Sequence, residues 1–177
     1  MDTPYRRIVT GHSPGGKAII HSDTTLAPVS LYDPSKPPSN DHAGCINIHR
    51  SEGFPANNNV PFTELHGTPI PLVDPIRTSI RIIDMPPGTS SPLHRTVSLD
   101  FGVVLKGEVV LELDDGVETT VKEQSTVVQR GTIHAWHNRT KEVSRMLFVL
   151  LPAEKVRVER TGEELGGEGI PTDGLAA

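Results

Sequence analysis

The strongest constraint on the fold of this chain is a series of short apolar segments between residues 79 and 153, separated by turn residues roughly every ten positions. The segments "SIRIIDM" and "VVLELDDG" alternate apolar and polar residues, and the second ends in Asp-Gly, a hairpin signal. Strands at this spacing are typical of an all-β sandwich or barrel. No segment shows the apolar period of a helix, so the pattern predicts an all-β fold.

The composition supports a β-protein and argues against some classes of binding partner. Aromatic residues make up only 4% of the chain, so its core must rest on aliphatic residues, of which Val and Ile favour strands. The net charge of −5 disfavours nucleic acid and anionic membranes as partners. Cys45 is the one cysteine, which excludes an intramolecular disulfide. With no signal segment and no apolar run long enough to cross a bilayer, we expect a soluble cytoplasmic protein.

Three parts follow from the distribution of these patterns. Residues 1–78 are predicted to form an N-terminal hairpin and an irregular extension, residues 79–153 a β-barrel, and residues 154–177 a C-terminal tail. Within the first part, residues 5–26 resemble two strands around a Ser-Pro-Gly-Gly turn. Residues 33–75 are rich in Pro and Asn and lack a regular period, which predicts a long surface loop or a lid.

A first group of spaced residues lies at the start of the predicted barrel. Gly88 is followed by five residues and then His94, and Thr96 lies two positions further. Asp100 follows after three residues, and six more lead to Gly107. Alternate residues of a strand share one face, so His94 and Thr96 are predicted to point inward together, with Asp100 able to share that face.

A second group lies near the end of the predicted barrel. Gln129 is followed by one residue and Gly131, then by two residues and His134, and then by three residues and Asn138. Glu123 lies before Gln129, with five residues between them. The glycines suit turns that aim the strands, and His134 would reach the interior from a strand other than that of His94.

Together these two groups resemble the two motifs of the cupin superfamily over about 50 residues, from Gly88 to Asn138. The resemblance implies a double-stranded β-helix (jelly-roll) barrel with an N-terminal strand extension. Thr96 stands where the first motif has its second His, and Asp100 where it has Glu. The wider sequence is similar to small stand-alone cupins of bacteria and filamentous fungi, some of which accompany secondary-metabolite pathways.

The resemblance raises two alternatives for the polar residues of the barrel. In one, His94, Asp100 and His134 bind one divalent metal, either Fe, Mn, Ni or Zn, as the matching positions do in cupins; the Thr96 hydroxyl would be a poor ligand. In the other, the same three residues are catalytic without metal. His94 or His134 would then act as a base, oriented by Asp100.

Three further residues are predicted to contact a substrate. Thr96 could hydrogen-bond a substrate oxygen, Arg81 could pair with a carboxylate or phenolate, and Trp136 could line the cavity or brace its rim. The remaining histidines are expected to be ordinary surface residues, although one could enter the cavity from a loop; they are His12, His21, His42, His49, His66 and His137.

These features predict an enzyme, of lyase or isomerase type, that acts on a polyketide-like, phenolic or organic acid. The reaction would be non-oxidative: dehydration, decarboxylation, isomerisation or cyclisation. Two alternatives are an Fe(II)- or Mn-dependent dioxygenase and a non-catalytic module that binds a small ligand. No nucleotide-binding fingerprint is present, so no nucleotide cofactor is expected. By resemblance to small cupins, we expect a homodimer formed by exchange of the N-terminal strand.

Overall fold

The computed structural model describes residues 3–170 and confirms the all-β prediction. Its one helical segment is a short 3₁₀ turn at Asp114–Gly116. No helix in this range has the length and apolar character of a membrane span. The strands are β1 (Tyr5–His12), β2 (Ala18–Leu26), β3 (Val29–Ser30), β4 (Gly44–Arg50), β5 (Ser79–Met85), β6 (Ser98–Lys106), β7 (Glu108–Glu112), β8 (Glu118–Lys122), β9 (Thr126–Arg130), β10 (Ala135–His137), β11 (Ser144–Pro152), β12 (Val156–Arg157) and β13 (Glu164–Leu165).

Two antiparallel sheets build the barrel of the double-stranded β-helix. One has six strands in the order β3-β4-β5-β11-β6-β9, and the other has three in the order β10-β7-β8. Aliphatic and aromatic side chains from both sheets meet between them, as alternating strand patterns require. This core consists of Met85, Val104, Val109, Leu111, Val121, Trp136 and Met146.

Strand β5 is buried on both faces, which fixes the direction of its side chains. Ile82 packs with Leu26 and Ile46 in a second apolar cluster beneath the N-terminal hairpin. Arg81 and Ile83 point the other way, into the barrel. A shift of this strand by one residue would exchange its two faces and move its apolar side chains out of both clusters. The packing of these apolar side chains therefore keeps Arg81 directed into the barrel.

The prediction of an irregular segment over residues 33–75 was wrong at one place. Gly44–Arg50 forms β4, which pairs with β5 and extends the six-stranded sheet. Its short segment "CINIH" lies between Pro-rich and Asn-rich stretches. These residues are typical of turns and loops, so the sequence did not predict a strand between them. The rest of the segment crosses the sheet without regular structure. The division of the chain at residues 78 and 153 stays a prediction.

The N-terminal hairpin is confirmed as β1 paired with β2. Arg7, a buried residue that is 5% exposed, connects the hairpin to the rest of the chain. The guanidinium donates to the backbone carbonyl of Ile48 and forms an ion pair with Glu64, and it lies 5.0 Å from the centre of the Phe62 ring. Arg7 therefore joins the hairpin both to β4 and to the irregular segment.

Replacing Glu64 with glutamine is expected to weaken this connection more at neutral pH than at low pH. The hydrogen bond from Arg7 lowers the pKa of Glu64 from 4.5 to about 2. A lowered pKa stabilises the fold above pH 4.5, and that contribution is lost as the pH falls towards 2. Because the Glu64 side chain is 50% exposed, solvent screening limits the difference in unfolding free energy to about 1 kcal/mol.

Urea unfolding of the Glu64→Gln variant at neutral pH and at about pH 3 measures this difference. Glu159→Gln, which changes an exposed carboxylate of the tail, is the matched control. A destabilisation of the same size at both pH values would show that the ion pair is not its cause.

Candidate active site

The barrel contains a cavity of about 150 Å³ that opens at one side, a volume that in an apolar protein interior holds one benzene ring. Its wall is mostly apolar, and polar groups converge at one end. All six residues for which the sequence predicted a catalytic or substrate-binding role line this single cavity. They are Arg81, His94, Thr96, Asp100, His134 and Trp136.

His94 and His134 face each other across two segments of backbone. Each donates its backbone N–H to the carbonyl of the other at 2.9 Å, which brings their side chains to the same face. The centres of the two imidazole rings are 4.2 Å apart. Gly131, with a φ of 61°, makes the turn that leads to His134, and a Cβ added there would meet Val156 at 3.0 Å.

Hydrogen bonds define the protonation of both rings. Nδ1 of His94 lies 2.8 Å from the carbonyl of Pro92, and Nδ1 of His134 lies 3.0 Å from that of Thr132. A carbonyl only accepts, so each Nδ1 carries the proton and each neutral ring keeps its lone pair on Nε2. The prediction that Asp100 orients an imidazole was therefore wrong, since backbone carbonyls do so.

A buried amide lies between Asp100 and His134. The Nε2 atom of Gln129 is 3.1 Å from Oδ2 of Asp100 and 3.0 Å from Nε2 of His134. The Thr96 hydroxyl donates to the same Asp100 oxygen at 3.3 Å. The four residues form one network, and each of them is at most 4% exposed.

Gln129 was not singled out from the sequence, where it only replaced a motif proline. It reaches the network because β9 pairs with β6 and places it directly opposite Asp100. One signal was available in "VVQRG", where alternation puts Gln129 on the same face as the partly buried Val127. A polar residue on an inward face needs a partner there.

Burial changes the acid–base properties of this network. It raises the pKa of the Asp100 carboxyl, although the hydrogen bond from Thr96 acts in the opposite direction. Burial, followed by the nearby charge of His94, lowers the pKa of His134 to about 4. His134 is therefore neutral at physiological pH, and its Nε2 lone pair is taken by Gln129.

His94 differs from the four residues of this network because it is partly exposed to the cavity. Within the described part of the chain, no hydrogen bond occupies its Nε2 atom. An imidazole with a fixed tautomer and a free lone pair is suited to accept a proton. Of the predicted catalytic residues, His94 is thus the one placed to touch a bound molecule.

Arg81 supplies a buried positive charge to the cavity. It is 2% exposed, and its Nη2 donates to the carbonyls of Pro71 and Leu72. Its Nε has no partner among residues 3–170, and within that range no carboxylate lies within ion-pair distance of the guanidinium. Burial lowers its pKa, yet a guanidinium stays charged in proteins. An unpaired buried cation favours binding of an anion.

The apolar wall is suited to a flat or aliphatic body. Trp136 lies edge-to-face with Phe148, at 5.8 Å between ring centres, and both line the cavity. The mouth carries residues from the segment before the barrel, and Tyr32 and His42 contact each other there at 5.6 Å between rings. Among the histidines without a predicted role, His42 alone lines the cavity.

The cavity residues do not fit a divalent metal. The ligand atoms of His94, Asp100 and His134 do not all lie within 4.8 Å of one another. The lone pairs of Asp100 Oδ2 and His134 Nε2, which a metal would need, face the amide nitrogen of Gln129. An N–H donor at that point competes with a cation for both atoms.

A possible His/Glu metal site lies outside the cavity. Within residues 3–170, the one group of three such side chains with ligand atoms inside 4.8 Å is Glu112, Glu118 and His137. Their hydrogen-bonding capacity is already in use, since His137 contacts Ser90 and Glu112 while Glu118 pairs with Arg139. This group is a possible His/Glu metal site among the described residues.

Comparison with known proteins gives one family match. The Cupin_2 family (cupin domain) matches residues 81–150. Phomopsin biosynthesis cluster protein D of Diaporthe leptostromiformis is 41% identical over 109 residues, 61% of this chain and 57% of that protein. The cupin-domain-containing oxidoreductase virC of Hypocrea virens is 32% identical over 156 residues, 85% of this chain and 77% of that protein. The chain thus spans little more than half the length of the first relative.

Among solved structures, the polyketide cyclase RemF from Streptomyces resistomycificus has a TM-score of 0.46 and 16% identity, and the match covers 74% of each chain. A likeness of this degree says nothing about the reaction that either protein performs.

Proposed function

The chain belongs to the cupin family, as a small cupin of secondary-metabolism type, and we propose that it is an enzyme that moves a proton on a small organic acid. The substrate carboxylate or phenolate would contact Arg81, and its apolar body, polyketide-like or aromatic, would lie against Trp136 and Phe148. The observation that supports this most is that, among residues 3–170, His94 Nε2 has no hydrogen bond and the Arg81 guanidinium of the same cavity has no carboxylate within ion-pair distance.

The proposed chemistry is non-oxidative. His94 Nε2 takes a proton from a carbon beside a carbonyl or from a hydroxyl, and its Nδ1–H stays bonded to the Pro92 carbonyl. The imidazolium then returns the proton to a departing hydroxide or to another carbon, so that water is lost or a double bond moves. The same residues fit two further reactions. In a decarboxylation, His94 takes the proton of the acid, the carbon–carbon bond breaks to release carbon dioxide, and the imidazolium protonates the carbanion that is left. In a ring closure, the carbanion attacks a carbonyl carbon of the same molecule, and the imidazolium protonates the carbonyl oxygen. Thr96, Asp100, Gln129 and His134 act as positioning residues behind His94.

A panel of aromatic and aliphatic hydroxy- and keto-acids in D₂O tests the proposal. The expected result is, for at least one compound, deuterium beside the carbonyl or loss of water or carbon dioxide, faster than without protein. Nuclear magnetic resonance measures both without knowledge of the full reaction. A protein that binds members of the panel and leaves all of them unchanged would favour the non-catalytic alternative.

Oxidation is a second candidate, favoured by the similarity to virC, which is described as an oxidoreductase. That description belongs to virC, and oxidation of the same substrate would require an electron acceptor. Consumption of dioxygen with the same panel of acids distinguishes the two candidates. Consumption of one dioxygen for each substrate molecule converted would contradict the non-oxidative proposal and support oxidation.

We also propose that two copies of the chain associate through the N-terminal hairpin. Strands β1 and β2 pair only with each other within residues 3–170, and a two-stranded sheet with free edges is marginal alone. Ile19 and Ile20 on β2 are 42% and 66% exposed. Pairing with a second copy would cover them and complete the hydrogen bonds of an edge.

Light scattering at micromolar concentration is expected to give a species of twice the chain mass. Replacing Ile20 with glutamate should shift it towards the monomer, because a charge would be buried at the contact. Val156→Glu, at an exposed apolar position of the tail, is the matched control. A single monomeric species in the unmodified protein would contradict the proposal.

A further inference from the structure

The amide of Gln129 occupies the place where two candidate metal ligands converge. One nitrogen lies within hydrogen-bond distance of both Asp100 Oδ2 and His134 Nε2. An amide nitrogen carries two N–H groups, so it can satisfy both lone pairs at once. These are the atoms that two of the three candidate ligands would offer to a cation.

The hydrogen bonds of the neighbours determine which end of the amide points inward. His134 Nδ1 contacts a carbonyl and carries the ring proton, so His134 Nε2 can only accept. Asp100 Oδ2 also receives the hydroxyl of Thr96. Two acceptors therefore face one Gln129 atom, which must be the nitrogen. The amide oxygen is buried and has no partner within residues 3–170.

Backbone pairing holds this amide in place. Gln129 and Asp100 are directly opposite each other on β9 and β6, and both are 4% exposed. No rearrangement of a loop is needed to form the contact, since both residues lie on paired strands. The same pairing makes the contact hard to remove, because a buried amide that loses its partners is destabilising.

We propose that Gln129 takes the place of a metal ion: its amide nitrogen bridges Asp100 and His134, keeps the cavity free of divalent metal, and fixes the imidazole that supports His94. The inference stands on the contacts of Gln129 and does not depend on which reaction the cavity performs. It assigns Gln129 as a positioning residue, since the amide nitrogen contacts Asp100 and His134. Thr96 also disfavours a metal ion. Its hydroxyl donates a hydrogen bond to Asp100, whereas a histidine at this position would offer a lone pair to the metal.

Metal content tests the proposal directly. The protein is prepared in a His137→Ala background, so that the outer group of Glu112, Glu118 and His137 cannot contribute a metal ion. After incubation with excess Zn²⁺ or Co²⁺ and dialysis, plasma mass spectrometry is expected to find far less than one metal per chain. About one metal per chain, lost on His134→Ala, would overturn the proposal, because the cavity would then be a metal site.

The double substitution Thr96→His with Gln129→Ala should create the site. It frees Asp100 and His134 and adds an imidazole, so metal affinity should rise by at least about tenfold. Bound Co²⁺ should show visible absorption bands, and Zn²⁺ should raise the unfolding temperature of this variant only. Circular dichroism checks that the variant folds. A folded variant that gains no metal would show that Gln129 is not what excludes it.

The single Gln129→Ala variant distinguishes a Gln129 that excludes metal from a Gln129 that binds it. If the amide oxygen instead served as a metal ligand, the unmodified protein would hold metal and Gln129→Ala would lose it. We expect the reverse order, with metal binding in Gln129→Ala above that of the unmodified protein. The two ideas therefore predict changes of opposite sign for one substitution.

Discussion

Replacing His94 with alanine is expected to lower the rate of proton exchange or elimination by about 100-fold or more, the range that a general base contributes. His94 is the partly exposed imidazole of the cavity, and its Nε2 atom has no hydrogen bond in the described part of the chain. His134 cannot substitute, because its lone pair is held by Gln129 and its pKa is lowered to about 4. The measurement is the D₂O exchange rate of a panel compound that the unmodified protein turns over.

Two controls separate catalysis from folding in this experiment. His12→Ala removes an exposed imidazole at the end of β1 and should leave the rate unchanged. The unfolding temperature of His94→Ala should stay close to that of the unmodified protein, since one hydrogen bond to Pro92 is lost at a partly exposed position. Full exchange activity in a folded His94→Ala protein would remove His94 from its proposed role.

Replacing Arg81 with glutamine is expected to weaken binding of benzoate by about 10- to 100-fold, because a charge-assisted hydrogen bond of about 1.5–3 kcal/mol is lost. Benzoate matches the cavity in size and charge. Glutamine keeps an amide donor for the carbonyl of Pro71, which limits the damage to the fold. Trp136 is the only tryptophan of the chain and lines the cavity, so its fluorescence reports binding directly.

The matched probe is benzamide, which has the same ring and no charge. Its affinity should change little in Arg81→Gln, whereas an equal loss for both probes would mean that Arg81 shapes the cavity and does not recognise an anion. Arg130→Gln serves as the control substitution, since Arg130 is exposed at the end of β9, next to Gln129. Benzoate binding should be unchanged in that variant.

Local patterns in the sequence were sufficient to predict the barrel and its inward face. Alternation along each strand placed Thr96 and Asp100 inside, and the turn glycines Gly107 and Gly131 have the positive φ that such turns require. Leu93, one position before the inward-facing His94, is 44% exposed. These features depend on residues close in sequence, which is why they could be predicted.

Contacts between distant parts of the chain could not be predicted in the same way. The bridge from Gln129 to Asp100 and His134 requires the register of β9 against β6, and nothing near Gln129 fixes that register. Without the bridge, the sequence predicts that Asp100 orients an imidazole. Strand β4 was missed for a similar reason, because its pairing with β5 outweighs the Pro-rich sequence around it.

The mouth of the cavity and its interior come from different stretches of the chain. Every polar group proposed to act on the substrate lies within residues 81–150, whereas Tyr32, His42 and Leu72 approach the opening from the segment before the barrel. Selection can therefore alter which molecules enter without disturbing the proton transfer inside. Grafting residues 28–75 from one small cupin of this type to another would then exchange substrate preference while the reaction stays the same.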